Sequence, residues 1–217
     1  MKRWLGLISD RFHYEFFNTY FNHGYVIKHA PMDFLTTLDI GAGIGEHLKH
    51  EKLISEQKSH YVALDIRKEL ITKIEETFPG IKTHLGDCQE PLPFDDGYFD
   101  RILAIHVLEH LPNLPAALRE IHRLCCKKRG VFSVVIPCEG GGLYGLIRKM
   151  TAKRLFEKTY AQPYKWLIER EHINMPDEIF EELGHYFDIK HCQYFPLGIR
   201  SIHCNLFIGL TLTPSTA

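Results

Sequence analysis

The sequence lacks the marks of several large protein classes. Its 217 residues contain no apolar run close to the roughly 18 residues that span a bilayer. The 6 cysteines include no CxxC pair, which argues against a zinc knuckle or a thioredoxin-type motif. Scattered cysteines in a chain of this length are typical of reduced thiols rather than a disulfide framework. We therefore expect a cytoplasmic protein.

Strong net charge is also missing. The formal charge is -1, so the molecule as a whole has no electrostatic bias toward nucleic acid or an anionic membrane. Hydrophobic residues make up 45% and charged residues 24%, which are ordinary values for a globular protein with a core. No internal repeat or low-complexity segment interrupts the chain. We predict one domain over residues 1–217 and no nucleic-acid partner, while the sequence carries no signal for the oligomeric state.

Short apolar runs alternate with helical patterns before Pro137 and give way to another pattern after it. The five predicted strands in this first part are Leu35–Ile40, His60–Asp65, Ile81–Leu85, Phe99–Ile105 and Gly130–Ile136, and the predicted helices are Glu46–Gln57, Lys68–Phe78 and Leu114–Cys125. The chain thus divides into an N-terminal helical segment (1–34), a cofactor-binding core (35–137), a helical cap insert (138–185) and a C-terminal hairpin (186–217). The cap insert has a predicted helix at Pro176–Leu183, and the hairpin has predicted strands at Phe187–Phe195 and Ile202–Leu212. This order predicts an α/β fold: a Rossmann-like, doubly wound, mostly parallel seven-stranded sheet with an antiparallel edge hairpin and a helical cap.

A glycine-rich turn follows the first predicted strand. It reads LDIGAGIGE, from Leu38 to Glu46. Glycines at Gly41 and Gly43 allow a tight turn and let a ligand approach without a Cβ in the way. The GxGxG spacing differs from the GxGxxG of dinucleotide-binding enzymes. Asp39 and Glu46 flank the turn, and two carboxylates suit an ammonium or a sulfonium better than a pyrophosphate.

Two further acids stand where the second and third predicted strands end. Asp65 follows the glycine turn by roughly 20 residues, the spacing of an acid that accepts hydrogen bonds from ribose hydroxyls. The alternative is a solvated acid that caps the next helix. Asp87, followed by Cys88, comes shortly after the third strand, where a carboxylate can accept a hydrogen bond from the exocyclic amine of adenine.

With the LPF-DDGYFD loop and the VLEHL segment, these motifs resemble those of the class I S-adenosylmethionine-dependent methyltransferases. Within that class they are similar to the small-molecule branch that includes ubiquinone and menaquinone biosynthesis methyltransferases. The resemblance covers roughly residues 36–137. It implies S-adenosyl-L-methionine as cofactor, S-adenosyl-L-homocysteine as product, and no metal.

The resemblance also implies a place for each cofactor-binding residue. The methionine end falls to Asp39, Gly41, Ala42 and Gly43, the ribose to Asp65, and the adenine to Asp87 and Cys88, with Ile66 on the adenine face or in the core and Ile105 at the end of the fourth strand.

Methyl transfer from a sulfonium needs little help for the leaving group, because the departing sulfur is neutral. Positioning can therefore supply most of the acceleration, and a base is needed only for a hydroxyl or a protonated amine. His106, just past the fourth strand, and His172, in the cap insert after its basic part, are the candidate catalytic residues, whereas we expect a structural role for His110. Glu139 and the following glycines lie where a hinge or a plain surface loop is equally expected. O-, N- and C-methylation stay open.

The insert is basic. Residues 143–165 contain six lysines and arginines against one acid, Glu157, and apolar residues interleave with them. One interpretation is an ordinary helix with a solvated face. The other is a cap that selects an anionic acceptor and makes weak contact with a membrane surface. We predict a small-molecule, sugar-linked or lipid-linked acceptor and a location that includes the membrane periphery.

Two other function classes remain in view. A non-catalytic regulatory or partner protein that binds S-adenosylmethionine would share every cofactor motif. An NAD-dependent oxidoreductase would share the fold, but the GxGxG spacing and the acidic loop argue against it.

Overall fold

One seven-stranded sheet forms the centre of the molecule. In this computed structural model, the structure describes residues 18–149 and 172–215. The helices are α1 (Gly24–Lys28), α2 (Ser55–Ser59), α3 (Lys68–Thr77), α4 (Leu114–Leu124), α5 (Gly142–Arg148) and α6 (Pro176–Gly184). The strands are β1 (Thr37–Ile40), β2 (Tyr61–Asp65), β3 (Lys82–Leu85), β4 (Arg101–Ile105), β5 (Val131–Pro137), β6 (Phe187–Phe195) and β7 (Phe207–Pro214).

The strand order is β3-β2-β1-β4-β5-β7-β6. The first five strands are parallel, and β7 pairs antiparallel with both β5 and β6. The predicted fold class, including the antiparallel edge hairpin, is confirmed. The strand order reverses direction at β1, with β2 and β3 on one side of it and β4 and β5 on the other. At such a reversal a crevice opens beyond the carboxyl ends of the strands.

Successive residues of the strands point to opposite faces of the sheet and pack into two different hydrophobic cores. On one face, Ile102 and Val134 pack with α4 and α6. On the other face, Leu103 and Val135 pack with α1. Burial on both faces explains why the parallel strands read as nearly continuous apolar runs.

Helix α4 shows how local signals place an element. Asn113 precedes it, and its side-chain oxygen accepts a hydrogen bond from the N–H of Ala116 at 3.2 Å, while a proline stands in the first turn. Its apolar residues recur on one face and are buried: Leu114, Ala117, Leu118, Ile121 and Leu124.

The predicted helix over Glu46–Gln57 is wrong. A 3₁₀ turn at His47–Lys49 and the short helix α2 stand in its place. Glu51 lies between these two elements, and its carboxylate contacts the imidazole of His47 and the guanidinium of Arg101. Arg101 is fully buried, and its charge requires this partner.

The last predicted strand is shorter than expected. Residues Ile202–Cys204 form a 3₁₀ turn, and β7 begins only at Phe207. Of the predicted cap, residues 150–171 lie outside the described part of the chain. Helix α6, which falls within the predicted cap range, contributes Ile179 and Leu183 to the main core. None of the helices within residues 18–149 and 172–215 has the length and apolarity to cross a bilayer.

Candidate cofactor and methyl-transfer site

A cleft with two lobes opens beyond the carboxyl ends of the parallel strands. The lobes have volumes of about 410 and 760 Å³, each within the range of small-molecule sites. We call them the β1 lobe and the β2–β3 lobe. Gly41, Arg67 and His106 line both, so the two lobes are parts of one cleft. Its size fits an extended cofactor with room for an acceptor.

The predicted cofactor residues divide between the lobes as their motifs suggest. The β1 lobe is lined by Asp39, Gly41, Ala42, Gly43 and Ile105. The β2–β3 lobe is lined by Asp65, Ile66, Asp87 and Cys88. The structure thus brings all nine to one cleft, while their individual contacts with a cofactor stay predictions.

The glycine turn has a backbone that only glycine accepts readily. Gly41 and Gly43 have φ of 65° and 60°, in the left-handed region. A Cβ on Gly41 would lie 2.6 Å from the Cγ2 of Val107, in the loop after β4. Gly41 therefore needs to be glycine for two reasons: its positive φ and its close approach to the loop after β4.

Asp39 is a buried acid in the β1 lobe. Its Oδ2 accepts a hydrogen bond from the Tyr61 hydroxyl at 2.7 Å. Burial raises the pKa of Asp39, and the nearby His47, the Tyr61 bond and Arg101 oppose that rise. A desolvated carboxyl with a raised pKa gains from a cationic partner, and Glu46 lines the same lobe. These acids fit the ammonium of a bound methionine moiety.

Asp65 connects β2 to the glycine turn. Its Oδ2 accepts from the Gly43 N–H at 3.0 Å, and its Oδ1 accepts from the Arg67 N–H at 2.9 Å. The Arg67 guanidinium also reaches Oδ1, at 3.2 Å, but that side chain is 61% exposed. Because a carboxylate offers about four acceptor positions, ribose hydroxyls can bind Asp65 if the exposed Arg67 side chain moves aside.

The other end of the cleft suits a planar, weakly polar group. Ile66 is 63% exposed although it is a large apolar residue, so its face is open to a ligand. Asp87 holds the N–H of Gln89 at 2.9 Å and its side-chain amide at 3.0 Å. Burial, and then the Asp87 charge, raise the pKa of Cys88 to about 12, so its thiol stays protonated at neutral pH.

His106 stands where the lobes meet. Its φ is 56°, the one positive value of a residue other than glycine within the described ranges. Such strain persists where surrounding structure imposes it and is common at functional sites. The ring packs edge-on against Phe207 at 5.3 Å, and Nδ1 lies 3.3 Å from the Oε1 of Glu109.

Glu109 is a buried carboxylate between two histidines. It is 1% exposed, and its Oε1 also lies 3.9 Å from the Nε2 of His110. Its Oε2 is buried with no hydrogen-bond partner. An incompletely bonded buried carboxylate costs free energy, so the histidine contacts are the compensation that the structure offers.

His172 is not brought to the walls of the cleft. Its Nδ1 bonds to the Oε2 of Glu139 at 2.9 Å, and its ring packs edge-on against His110 at 4.9 Å. The residues beside it attach this part of the predicted cap insert to the loop after β4, since Ile173 and Asn174 donate their N–H groups to the Glu109 carbonyl. A catalytic role of His172 stays a prediction.

Sequence reasoning missed several residues that line the β1 lobe or support the site. Asn22 and His23 come from the N-terminal segment, and His47 and Arg67 follow β1 and β2. Only the position of Arg67, right after the Asp65 motif, carried a local signal. The two N-terminal residues reach the cleft through tertiary packing of α1 on the sheet, which no motif announces. Among the described residues, no group of three or more His, Cys, Asp or Glu side chains is arranged to hold a metal ion.

Comparisons with known proteins agree with this geometry. Residues 38–134 match the family model described as "Methyltransferase domain". A protein from Pyrococcus horikoshii has a similar structure, with a TM-score of 0.65, 14% sequence identity, and coverage of 99% of this chain and 96% of that one. A SAM-dependent methyltransferase from Thermotoga maritima has a TM-score of 0.59 and 16% identity, with 95% of each chain covered.

The trans-methyltransferase CalH, solved as a complex with SAH, has a TM-score of 0.60 and 17% identity over 83% of this chain and 51% of that one. No curated protein matches in sequence.

The family match falls on the part of the chain that builds the cleft. Residues 38–134 include the glycine turn, Asp65, Asp87 and His106. They have a Rossmann-like methyltransferase fold. The matched domain supports the assignment of the protein as an S-adenosylmethionine-dependent methyltransferase.

Proposed function

We propose that the protein methylates a small-molecule, sugar-linked or lipid-linked acceptor at a hydroxyl, with His106 as the base. The observation that carries this proposal is the place of His106, which lines both lobes of the cleft. A cofactor held by the residues of the Asp39 end and the Asp87 end would bring its sulfonium toward the place where the lobes meet, which His106 lines. The likeness of the motifs to ubiquinone- and menaquinone-type enzymes supports an acceptor of this size.

The contact with Glu109 suggests how His106 acts. Because the Glu109 carboxylate can only accept when ionised, it favours a proton on Nδ1 of His106. The lone pair is then on Nε2, which is the nitrogen left for the acceptor hydroxyl. Bound S-adenosylmethionine supplies an electrophilic methyl group and a neutral sulfur leaving group.

The step balances without another reagent. With S-adenosylmethionine bound, the acceptor oxygen would form the new bond to the methyl carbon, and the sulfur would keep the electron pair of the C–S bond that breaks. Nε2 of His106 takes the hydroxyl proton and later releases it to water. Glu109 steadies the imidazolium in the interval, as a buried carboxylate beside a histidine does in other general-base pairs.

A turnover assay tests the proposal. The purified protein is incubated with S-adenosylmethionine and panels of phenols, sugars and lipid extracts, and S-adenosylhomocysteine formation is measured. We expect acceptor-dependent product and a loss of about 10²- to 10⁴-fold in turnover for His106→Gln. The exposed His185 offers a matched control, His185→Gln.

The regulatory alternative predicts a different result. Tight S-adenosylhomocysteine binding without turnover on any panel would favour it. Turnover that survives intact in His106→Gln would leave the enzyme assignment standing and remove His106 as base.

A further inference from the structure

An exposed apolar and basic patch lies at the tip of the edge hairpin. Between β6 and β7, Leu197 is 60% exposed and Ile199 is 55% exposed, and Arg200 beside them is also exposed. On the adjoining helix α5, Leu146 is 56% exposed. Exposed Lys149 follows this helix. We call these five residues the hairpin-tip patch.

The tip has a built conformation that holds its apolar side chains outward. Asn205 is fully buried beneath it. Its Oδ1 accepts from the Leu197 N–H at 2.9 Å, and its Nδ2 donates to the carbonyls of Ile199 at 2.7 Å and Ser201 at 2.9 Å. The Gly198 N–H bonds back to the Tyr194 carbonyl. These hydrogen bonds hold the loop in one conformation, and in that conformation Leu197 and Ile199 are exposed.

The two parts of the patch are neighbours. Helix α5 packs against the 3₁₀ turn Ile202–Cys204, which directly follows the tip. Gly141, just before α5, approaches the Ile202 carbonyl so closely that a Cβ would lie 2.1 Å from its oxygen. Leu146 and the tip residues thus sit on adjoining elements.

The charged residues within the two segments that form the patch have one sign. The sequence contains no acidic residue in 142–149 or in 196–204. Exposed apolar side chains among cations are the combination that binds the interface of an anionic bilayer: the apolar groups enter the headgroup boundary while the cations contact phosphates.

The patch also lies on the cleft's side of the sheet. Phe207, the first residue of β7, pairs with Pro137 at the carboxyl end of β5. The Phe207 ring packs against His106. A bilayer that covers the patch would therefore face the edge of the sheet where the cleft opens.

We propose that the hairpin-tip patch docks the protein on an anionic lipid bilayer. The docking does not depend on the proposed function, although the use of a lipid-borne acceptor drawn from that bilayer rests on it. The electrostatic part is salt-dependent, because the Debye length shortens as ionic strength rises.

Vesicle co-sedimentation with the full chain tests the proposal. The probes are phosphatidylcholine vesicles with and without phosphatidylglycerol. We expect binding to the anionic vesicles only, weakened by salt. Combining Leu197→Ser with Ile199→Ser should weaken it by about tenfold or more, and Arg200→Glu by about tenfold. The matched control is Met32→Ser, which removes a 95% exposed apolar side chain in the loop before β1.

Three kinds of outcome would overturn docking on lipid. One is that the protein fails to prefer anionic vesicles, either because it binds no vesicles or because it binds neutral and anionic vesicles equally. The second is a concentration-dependent dimer that the Ile199→Ser change dissolves, since a second copy of the chain would then cover the patch. The third is a marked fall in melting temperature for the double serine variant, which would mean that the side chains support the fold. S-adenosylhomocysteine affinity, measured in parallel, reports separately on the cofactor site.

Discussion

The carboxylate of Asp65 accepts a hydrogen bond from the backbone N–H of Gly43, across 3.0 Å. Asp65 ends β2, and Gly43 belongs to the turn after β1. The acid expected at the ribose is therefore also part of what shapes the glycine turn. Two motifs that are distinct in the sequence act as one unit in the fold.

Replacement of Asp65 by alanine should weaken cofactor binding through both contributions. Lost hydrogen bonds to a charged group cost about 1.5–3 kcal/mol, which corresponds to about one to two decades in the dissociation constant for S-adenosylhomocysteine. Calorimetric titration measures this. The control is Asp188→Ala, which removes an exposed acid on β6. An unchanged dissociation constant in folded Asp65→Ala would exclude the acid from the site.

The cofactor end of the site was predictable from the sequence because parallel strands gather their carboxyl ends at one edge. Any acid or glycine at or just beyond the carboxyl end of such a strand must lie there, so Asp39, Gly41, Asp65 and Asp87 could be placed by position alone. The faces of the sheet were equally readable, because double burial leaves continuous apolar runs.

The parts that were not predictable depend on contacts between distant segments. The helix expected over 46–57 is interrupted near Glu51, which pairs with Arg101, fifty positions away in the chain. Local helix signals cannot register that pair. His23, directly before α1, lines the β1 lobe because α1 packs on the sheet face opposite to α4 and α6. Glu109 in the VLEHL segment has no local mark that distinguishes a buried acid from a solvated one.

The glycine turn should reject even the smallest side chain. Gly41→Ala places a Cβ at φ 65° and within 2.6 Å of Val107. We expect a loss of about 1–3 kcal/mol of stability together with weaker S-adenosylhomocysteine binding.

Gly145→Ala is the contrasting change for that experiment. Gly145 lies within α5, and a Cβ there meets nothing within 4 Å. Alanine should stabilise this helix by about 0.5–1 kcal/mol. Urea unfolding of the two variants should show a lower free energy of unfolding for Gly41→Ala and a higher one for Gly145→Ala than for the wild type. Equal effects would mean that the local environment of Gly41 is not special.

The pairing of Glu109 with His106 can be tested without knowledge of the acceptor. In the wild-type protein, ¹⁵N spectra of the histidine rings should show His106 with its proton on Nδ1. Glu109→Gln replaces a pure acceptor with a group that can also donate, so the spectra should show a mixture of tautomers. His110→Gln, the control, removes the other histidine near the carboxylate and should leave the His106 tautomer unchanged. A proton on Nε2 in the wild type would contradict the proposed role of His106 as a base through that atom.

His23 should make the protein less stable in mild acid. Burial, followed by the nearby charges of His47, His50, His106 and Lys49, lowers the pKa of His23 from 6.5 to about 3. Below pH 6.5 the unfolded chain binds a proton at this position that the folded chain refuses until near pH 3. The unfolded state then binds more protons, so stability falls as the pH falls through this window and is independent of this group above it.

The size of this effect follows from about 1.4 kcal/mol for each pH unit and each differential proton. At pH 5 the contribution of His23 should be a loss of up to about 2 kcal/mol. His23→Gln should therefore lose less stability than the wild type between pH 7.5 and pH 5, about 1–2 kcal/mol less by urea unfolding. The exposed His185→Gln should follow the wild type. Parallel curves for His23→Gln and wild type would contradict this prediction. They would show that His23 takes up its proton equally in the folded and the unfolded chain, so that the β1 lobe contains a charged imidazole at pH 5.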